Sequence, residues 1–189
     1  GWGGAFNISR SIKEMIKADV AAVHIEDQIS QKRCGHRPNK TLVSCSEMTD
    51  RLKAAVDSRN DPEFFIIART DAFTSEGLQA SIDRSLKYIE AGADGIFLEA
   101  ITDLNDYKEF KSHVAAPLLG NITEFGKTPL FTLNELESAK VDMGLYPLSA
   151  FRAMNRIAEK VYETIQKDGT QRNVLDIMQT REELYERLN

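Results

Sequence analysis

Residues 32–40, KRCGHRPNK, bring one thiol and several cations together in a short stretch. Cys34 stands beside Gly35 and His36, and no apolar side chain interrupts the segment, so it fits neither a strand nor a helix face. Positive charge nearby favours the thiolate form of a cysteine. Gly35 allows the backbone to approach a ligand closely. The segment therefore predicts a cysteine whose thiolate form is favoured, on a binding loop.

Cys34 could also belong to a zinc site, act as a nucleophile with His36, or be an inert surface cysteine. A zinc site is excluded, because the sequence has only 2 cysteines and 3 histidines and none stands at ligand spacing. A nucleophilic pair of Cys34 and His36 would be unusual, since such pairs normally meet through the fold rather than along the chain. An inert surface cysteine is the plainest alternative. Cys45, at the start of a predicted helix, is assigned no role.

Polar residues also follow short apolar runs elsewhere in the chain. In HIEDQ (24–28), carboxylates such as Glu26 suit Mg²⁺, although helix caps and surface ion pairs are an alternative. In RTD (69–71), the forked donors of Arg69 match a substrate carboxylate. For this motif alone, a structural Arg–Asp bridge between neighbouring strands is the simpler explanation.

Glu99 and the segment NITEF (121–125) complete the set of candidate side chains. Glu99 follows the run GIFL and could protonate a substrate group, accept a hydrogen bond or hold an arginine. Asn121 and Thr123 stand two positions apart, so in an extended segment they project to one side, as clasping a carboxylate requires. Such residues also occupy turns for purely local reasons.

Five short apolar runs alternate with stretches of helical period. The runs suit strands that are buried on both faces of a parallel sheet. They cover residues 18–27, 64–71, 92–100, 116–124 and 141–147. The predicted helices cover residues 6–18, 46–59, 75–93, 102–113, 132–140 and 148–169. Ser46 is predicted to cap its helix, and Gly92 and Gly169 to end theirs.

The repeated order of strand, loop and helix predicts an α/β fold. Polar groups follow every strand end, which favours a (β/α)₈ TIM-type barrel, where all those ends meet at one mouth, over an open doubly wound sheet. Since five strands do not close such a barrel, we predict about five βα units plus C-terminal helices. The opening GWGG is expected to leave an earlier strand, with roughly three βα units before Gly1. One domain is predicted over residues 1–189.

Composition and charge exclude several classes of partner. The chain has 189 residues, of which 28% are charged, and its net charge is −5 with no basic tract. Neither nucleic acid nor a membrane is therefore expected as a partner, and no apolar run is long enough to span a bilayer. The two cysteines need no disulfide framework at this size, so a reducing compartment is the simpler interpretation.

KRCGHRPNK, with HIEDQ before it, resembles the active-site loop of the isocitrate lyase and phosphoenolpyruvate mutase superfamily. Further motifs follow in the order and spacing of the 2-methylisocitrate lyase family. They are RTDA, FLEA, NITEFG, LYPLSAFRAMN and DIMQTREELYE. The resemblance covers nearly the whole chain, which has no room for the large insertion that isocitrate lyases usually carry in this region.

The resemblance implies a Mg²⁺-dependent retro-aldol cleavage, with Mn²⁺ as the alternative metal. A tricarboxylate substrate, 2-methylisocitrate, would give pyruvate and succinate in propionate catabolism through the methylcitrate cycle. A cytoplasmic homotetramer is implied, or a mitochondrial matrix enzyme in a eukaryote. Rival expectations are an isocitrate lyase giving glyoxylate and succinate, an oxaloacetate hydrolase or phosphonate-processing enzyme, and a non-catalytic carboxylate-binding homologue.

The resemblance also implies a role for each matching residue. Cys34 would be the proton donor, His36 would support its loop, and Glu99 would hydrogen-bond the reacting carboxyl group. Glu26 would face the metal through water. The implied substrate-binding residues are Cys34, Gly35, Arg69, Glu99, Asn121, Ile122, Thr123, Arg152 and Arg181. The family's direct metal ligands are two aspartates before the GWGG equivalent, so the 189 residues alone are expected to be inactive.

Overall fold

The computed structural model describes residues 3–188, and the predicted GWGG loop lies partly outside them because Gly1 and Trp2 are not among them. Within residues 3–188 the chain forms five strands, seven α-helices and one 3₁₀ helix. The strands are β1 (Ala22–Glu26), β2 (Phe65–Thr70), β3 (Gly95–Leu98), β4 (Leu118–Asn121) and β5 (Met143–Leu145). The α-helices are α1 (Ala5–Lys17), α2 (Cys45–Ser58), α3 (Phe73–Glu90), α4 (Leu104–His113), α5 (Leu133–Ser138), α6 (Ser149–Asp168) and α7 (Arg181–Leu188). The chain divides into two compact units, Gly1–Tyr146 and Pro147–Asn189.

The first unit is built on a parallel sheet whose strands follow one another in chain order from β1 to β5. Along the chain a helix follows each strand, which confirms the α/β prediction and is the order of successive units in a TIM-type barrel. The register pairs Glu26 with Arg69, and Arg69 with Phe97. Because all five strands are parallel, their carboxyl ends lie at one edge of the sheet.

Alternate side chains of each strand face opposite sides of the sheet. On one side, Ile66 and Ala68 pack in the main core with helix residues such as Leu52. On the other side, Ile67 and Phe97 pack in a smaller apolar cluster. Arg69 stands two positions after Ile67, so its side chain belongs to this second face, which is the inner face of a barrel.

The ends of the helices show where local sequence rules hold. α2 is capped by Ser44, whose Oγ accepts a hydrogen bond from the N–H of Glu47 at 3.1 Å. The prediction that Ser46 caps this helix is therefore wrong, because Ser44 has the three-residue spacing to a glutamate that a capping box uses. The two predicted terminal glycines are confirmed, since Gly92 (φ 102°) and Gly169 (φ 66°) adopt the left-handed conformation just after α3 and α6.

The second unit contains α6, the 3₁₀ helix (Arg172–Ile177) and α7. Its α6 and 3₁₀ helix are joined by a hydrogen bond from Nδ2 of Asn173 to Oδ2 of Asp168 at 2.8 Å. The single domain predicted over residues 1–189 stays a prediction. Of the helices formed by residues 3–188, none combines the length and the apolar character that crossing a membrane requires.

Candidate active site

Charged side chains from three neighbouring strands meet at the carboxyl edge of the sheet. Glu26 ends β1, Arg69 and Asp71 lie at the end of β2, and Glu99 directly follows β3. All four are buried. Lys32 reaches the same group from the loop after β1. We call the set of Glu26, Lys32, Arg69, Asp71 and Glu99 the mouth cluster.

Arg69 is the centre of the mouth cluster. Its Nε donates to Oδ2 of Asp71 at 2.9 Å, and its Nη2 lies 3.4 Å from Oε1 of Glu99 and 3.6 Å from Oε1 of Glu26. The guanidinium also lies over the ring of Phe97, 4.6 Å from its centroid. Burial works to lower the pKa of Arg69, but the carboxylates of Glu99 and Asp71 outweigh it and raise that pKa. The Arg–Asp bridge that forms joins Arg69 to Asp71 at the end of β2 and does not link two neighbouring strands. The contact of Arg69 with substrate stays a prediction.

Glu26 and Asp71, two of the three acids beside Arg69, have pKa values shifted in opposite directions. Glu26 accepts hydrogen bonds from Nζ of Lys32 at 2.8 Å and Nε2 of Gln28 at 2.6 Å. Burial nevertheless raises the pKa of Glu26, against the effect of Arg69. For Asp71, burial also acts to raise the pKa, but Arg69 and Lys40 hold it below its usual range. Asp71 is therefore the more firmly ionised of the two.

Glu99 links the mouth cluster to His36. The backbone N–H of Lys127 donates to Nδ1 of His36 at 2.9 Å, so the ring proton of the neutral imidazole belongs on Nε2. Nε2 lies 3.2 Å from Oε1 of Glu99, but outside the angle of a hydrogen bond, and this buried nitrogen has no hydrogen-bond partner among residues 3–188. His36 thus joins the loop after β1 to the loop after β4, and its supporting role in the reaction stays a prediction.

Cys34 lies on the long loop formed by residues 27–44, which we call the thiol loop. Its thiol is free and exposed, and its carbonyl accepts the N–H of Arg37 at 2.9 Å in a tight turn. Two of the cations that surround Cys34 in sequence are engaged elsewhere, since Lys32 binds Glu26 and Lys40 binds Asp71. The fold therefore offsets part of the positive surroundings that the sequence indicates.

Gly35 seats the thiol loop on two carboxylates. A Cβ at this position would collide with the side chain of Glu99 and would lie 2.6 Å from Oδ1 of Asp71. The sequence predicts that Gly35 lets backbone approach a ligand. The structure shows that the backbone approaches Glu99 and Asp71, and only glycine leaves room for that contact.

Asn121 and Thr123 present buried polar atoms that no side chain or backbone group of residues 3–188 satisfies. Nδ2 of Asn121 donates to Oε2 of Glu99 at 3.2 Å. Within the described residues 3–188, its Oδ1 and the Oγ1 of Thr123 are buried and have no hydrogen-bond partner. A buried group of this kind costs about 1–3 kcal/mol, so these atoms indicate a place for a ligand. Ile122 differs, because its side chain packs in the main core and does not join the other two.

Arg152 and Arg181 both lie in the second unit. Arg152 is in the first turn of α6, where its N–H donates to the carbonyl of Leu148 at 2.8 Å, and Arg181 begins α7. Their contacts with substrate stay predictions. Cys45, the first residue of α2, is free and partly buried.

Asp27 belongs to a second polar network, although the motif HIEDQ places it beside Glu26. It accepts hydrogen bonds from Oγ1 of Thr70 at 2.7 Å and the hydroxyl of Tyr88 at 3.0 Å, and Nη1 of Arg84 lies 3.6 Å away. Burial raises the pKa of Asp27 despite these donors. We call Asp27, Thr70, Arg84 and Tyr88 the anchor network, because it ties the ends of β1 and β2 to α3.

The described residues meet only part of what a metal site requires. Residues 3–188 contain no group of three or more His, Cys, Asp or Glu side chains that could hold a metal ion. Glu26 offers the carboxylate oxygens that Mg²⁺ prefers, but Lys32 and Gln28 already bind them. Glu26 therefore fits one outer contact made through water, and not a complete site.

Comparison with known proteins identifies the family. The sequence model of the phosphoenolpyruvate phosphomutase family matches residues 1–166. The chain belongs to this family. Relatives include the 2-methylisocitrate lyases of Salmonella typhimurium, 62% identical over 98% of this chain, and of Shewanella oneidensis, 62% identical over 100% of it. The chain spans 63% and 64% of the lengths of those two proteins.

Solved structures of the family share the fold. An oxaloacetate acetylhydrolase bound to 3,3-difluorooxalacetate superposes with a TM-score of 0.90 at 30% identity, covering 97% of this chain and 62% of that one. A 2,3-dimethylmalate lyase gives 0.89 at 32% identity, with the same coverage of both chains. A phosphonopyruvate hydrolase in complex with oxalate and Mg²⁺ gives 0.83 at 27% identity, covering 98% and 65%. The TIM-type barrel expected from the strand ends is confirmed by these neighbours.

Sequence reasoning missed three contributors to this site. Gln28 and Lys40 each make a hydrogen bond within the thiol loop, and the backbone N–H of Lys127 donates one to His36 of that loop. Gln28 and Lys40 stand inside the motifs HIEDQ and KRCGHRPNK. The sequence alone does not show whether such a polar side chain is buried in an internal contact or exposed to solvent. Lys127 contributes only its backbone, which no sequence pattern reports.

Proposed function

We propose that the whole protein carrying this chain is a Mg²⁺-dependent carbon–carbon lyase that cleaves 2-methylisocitrate to pyruvate and succinate. The reaction would belong to propionate catabolism through the methylcitrate cycle. The observation that carries the proposal is 62% identity, over nearly the whole chain, to relatives named for this activity. The fold supports it too, since the structural neighbours are enzymes of the family that act on small molecules.

Charge balance supports a site that is completed by further cations. The acids Glu26, Asp71 and Glu99 face Arg69 and two lysines, so the described mouth has about as many negative as positive groups. A tricarboxylate would add negative charge to this balance. We propose that the metal supplies part of the missing positive charge. By the resemblance of their motifs, Arg152 and Arg181 are proposed as further substrate-binding residues.

The proposed reaction breaks the bond between the hydroxyl-bearing carbon and its neighbour. The hydroxyl group gives its proton to solvent as the carbonyl of pyruvate forms, and the bonding electrons move to the succinate carbon and spread into its carboxylate. The S–H of Cys34 then gives its proton to that carbon, as general acid in the cleavage direction, and the thiolate regains a proton from solvent before the next turnover. Mg²⁺, when bound, supplies positive charge that stabilises developing negative charge on oxygen. Glu26 would hold the metal through water.

The remaining residues would bind and orient the substrate. Asn121 and Thr123 would hold the succinate half, with the unsatisfied Oδ1 and Oγ1 atoms as the groups that a ligand completes. Arg69 would bind a carboxylate of the pyruvate half with its forked donors. Glu99, held between Asn121 and His36, would hydrogen-bond the reacting carboxyl group. By its resemblance to the superfamily, we propose a cytoplasmic homotetramer, or a matrix enzyme if the source is eukaryotic.

A product assay on the whole protein tests the proposal. The protein would receive 2-methylisocitrate and isocitrate separately, with Mg²⁺ and after removal of metal by EDTA, and pyruvate, glyoxylate and succinate would be quantified. We expect pyruvate and succinate from the methylated substrate, much less glyoxylate from isocitrate, and loss of both activities without metal. Comparable glyoxylate release would make the protein an isocitrate lyase. No cleavage of either substrate would leave a carboxylate-binding homologue.

A further inference from the structure

Backbone hydrogen bonds join the two ends of the thiol loop, but the segment between them is long. Two backbone hydrogen bonds tie its ends together, from the N–H of Val43 to the carbonyl of Asp27 at 2.9 Å and from the N–H of Ile29 to the carbonyl of Thr41 at 3.1 Å. Cys34 lies well beyond this base, on an exposed turn. A long loop without secondary structure does not fix one side chain unless further contacts restrain its tip.

Gln28 provides the first such contact, on the chain before Cys34. Its Nε2 donates to the carbonyl of Arg33 at 2.9 Å, and its Oε1 accepts the N–H of Arg33 at 2.9 Å. One side-chain amide thus satisfies both backbone groups of the residue next to Cys34, as a neighbouring strand would. Gln28 is itself only 1% exposed, and its carbonyl accepts Nη1 of Arg51 at 2.9 Å, so this contact has a fixed support.

Lys40 provides the second contact, on the chain after Cys34. Its Nζ donates to the carbonyl of Gly35 at 2.7 Å and lies 3.2 Å from Oδ1 and 3.3 Å from the carbonyl oxygen of Asp71. The lysine side chain is only 3% exposed. A lysine is rarely buried unless its charge and donors are matched. Here the ammonium joins the loop tip to the end of β2.

We propose that Gln28 and Lys40 are positioning residues, a pair of clamps that hold Cys34 from both sides, next to the Gly35 that packs against Glu99 and Asp71. The inference rests on the proposed role of Cys34 as proton donor, which requires the thiol to stay at one place relative to the substrate carbon. Gln28 fixes the residue before Cys34 and Lys40 fixes the residue after it. Gly35 permits the close seating that both clamps enforce.

Hydrogen exchange of the backbone amides tests the clamps without any substrate. In the unmodified whole protein, the N–H of Arg33 must exchange slowly although Arg33 is exposed, because Gln28 accepts it. In Gln28→Met and Lys40→Met, which keep the side-chain length, we expect the amides of Arg33 and Arg37 to exchange about tenfold faster or more. The amide of Ile67 in β2 should not change. Control variants are Gln79→Met on α3 and Lys53→Met on α2, whose side chains are exposed.

Steady-state kinetics test whether the clamps matter for the reaction. We expect kcat to fall by about 10²-fold in either clamp variant, because a displaced catalytic group costs a rate factor of this order. KM should change less than about threefold, since Arg69, Asn121 and Thr123 keep their places. Lys40→Arg, which keeps the charge but not the compact ammonium, should recover only part of kcat.

The outcomes separate this proposal from the proposed function. Loop amides that exchange no faster in the clamp variants than in the controls would overturn the clamps, as would rapid exchange of the Arg33 amide in the unmodified protein. Faster exchange with unchanged kcat would also overturn them as positioning residues. If the unmodified protein cleaves neither substrate, the lyase proposal fails by itself, and the exchange experiment still decides the clamps. The measurement on the unmodified protein remains decisive if a variant does not fold.

Discussion

The mouth cluster and the anchor network begin one residue apart, at Glu26 and Asp27, and they differ in how far the protein satisfies them. In the anchor network, Asp27 is completely buried and accepts hydrogen bonds from Thr70, Tyr88 and the N–H of Asp71. Around the mouth cluster, polar atoms of Asn121 and Thr123 are buried without a hydrogen-bond partner among residues 3–188. Successive side chains of a strand point to opposite faces of the sheet, so Glu26 joins the mouth cluster and Asp27 joins the anchor network.

The difference separates what stabilises the fold from what binds a ligand. A saturated buried network holds its elements in one arrangement, and removing a member leaves the others unpaired. An unsaturated one lowers stability, which proteins tolerate at functional sites. Removing a hydrogen-bonding group from the anchor network should therefore reduce the stability of the fold. Removing such a group beside the mouth cluster should instead reduce activity.

The largest effect is expected at Cys34. Replacement of the proposed general acid in Cys34→Ser should lower the turnover of the whole protein by about 10²–10⁴-fold, because a serine hydroxyl is a far weaker acid than a thiol. The melting temperature should not change, since Cys34 is exposed. Cys45→Ser is the matched control and should keep its activity. Near-normal turnover of Cys34→Ser would remove the thiol from the mechanism.

A methyl group at position 35 should have the next largest effect. In Gly35→Ala the new Cβ would overlap the side chain of Glu99, so either the thiol loop rises or Glu99 moves. We expect kcat/KM to fall by about 10²-fold. Gly4→Ala, where an added Cβ meets nothing within 4 Å, serves as the control. Equal activity of the two variants would show that the close seating of Gly35 is dispensable.

One substitution made in both networks gives the sharpest test of the division. Thr70→Val loses the hydrogen bond from Oγ1 to Asp27 and should lower the free energy of unfolding by about 1–3 kcal/mol. Thr123→Val removes a hydroxyl that has no partner within residues 3–188, so its stability should be unchanged or higher. Its KM for 2-methylisocitrate should rise about tenfold, which corresponds to roughly one lost hydrogen bond.

Urea unfolding and steady-state kinetics on the two valine variants would check this prediction, with the unmodified protein as reference. Thr70→Val should keep the KM of that reference. The division fails if Thr123→Val is the less stable variant, or if Thr70→Val is the one that loses substrate affinity.

The smallest effect concerns the ionisation of Asp27 and Asp71, which NMR titration of the carboxyl carbons would follow. The pKa of Asp27 should lie above the usual value of about 3.9, and that of Asp71 below it. The contribution of Asp71 to stability is therefore present above about pH 3.9 and is lost as the pH falls through its folded pKa. The contribution of Asp27 has the opposite sign, and is lost as the pH rises from about 3.9 through its folded pKa. Equal pKa values for the two residues would contradict this.

Local patterns predict the elements of this protein well. FFIIARTD contains β2 because a short apolar run bounded by polar residues suits a strand covered on both faces. Gly92 and Gly169 end their helices because glycine adopts positive φ without strain. The cap of α2 was misplaced by two residues because two serines compete for it, and only the spacing of Ser44 to Glu47 allows the hydrogen bond.

The contacts of the candidate site are less predictable because they join distant parts of the chain. Lys40 and Asp71 are 31 residues apart, and His36 and the N–H of Lys127 are 91 residues apart. No periodicity reports such a pair. The motif HIEDQ likewise does not reveal that Glu26 and Asp27 serve different networks until the pairing of β1 with β2 is known.

The sequence by itself determined the α/β order, the residues that end each strand and the chemical types available at the mouth. These depend on side-chain period, apolar content and backbone preference, which are local properties. Only the tertiary structure decided which charges meet. Lys32 and Lys40 look like free cations beside Cys34 in sequence, but Glu26 and Asp71 bind them in the fold. The physical reason is that a buried charge must find an opposite partner, and the parallel sheet places those partners at one edge.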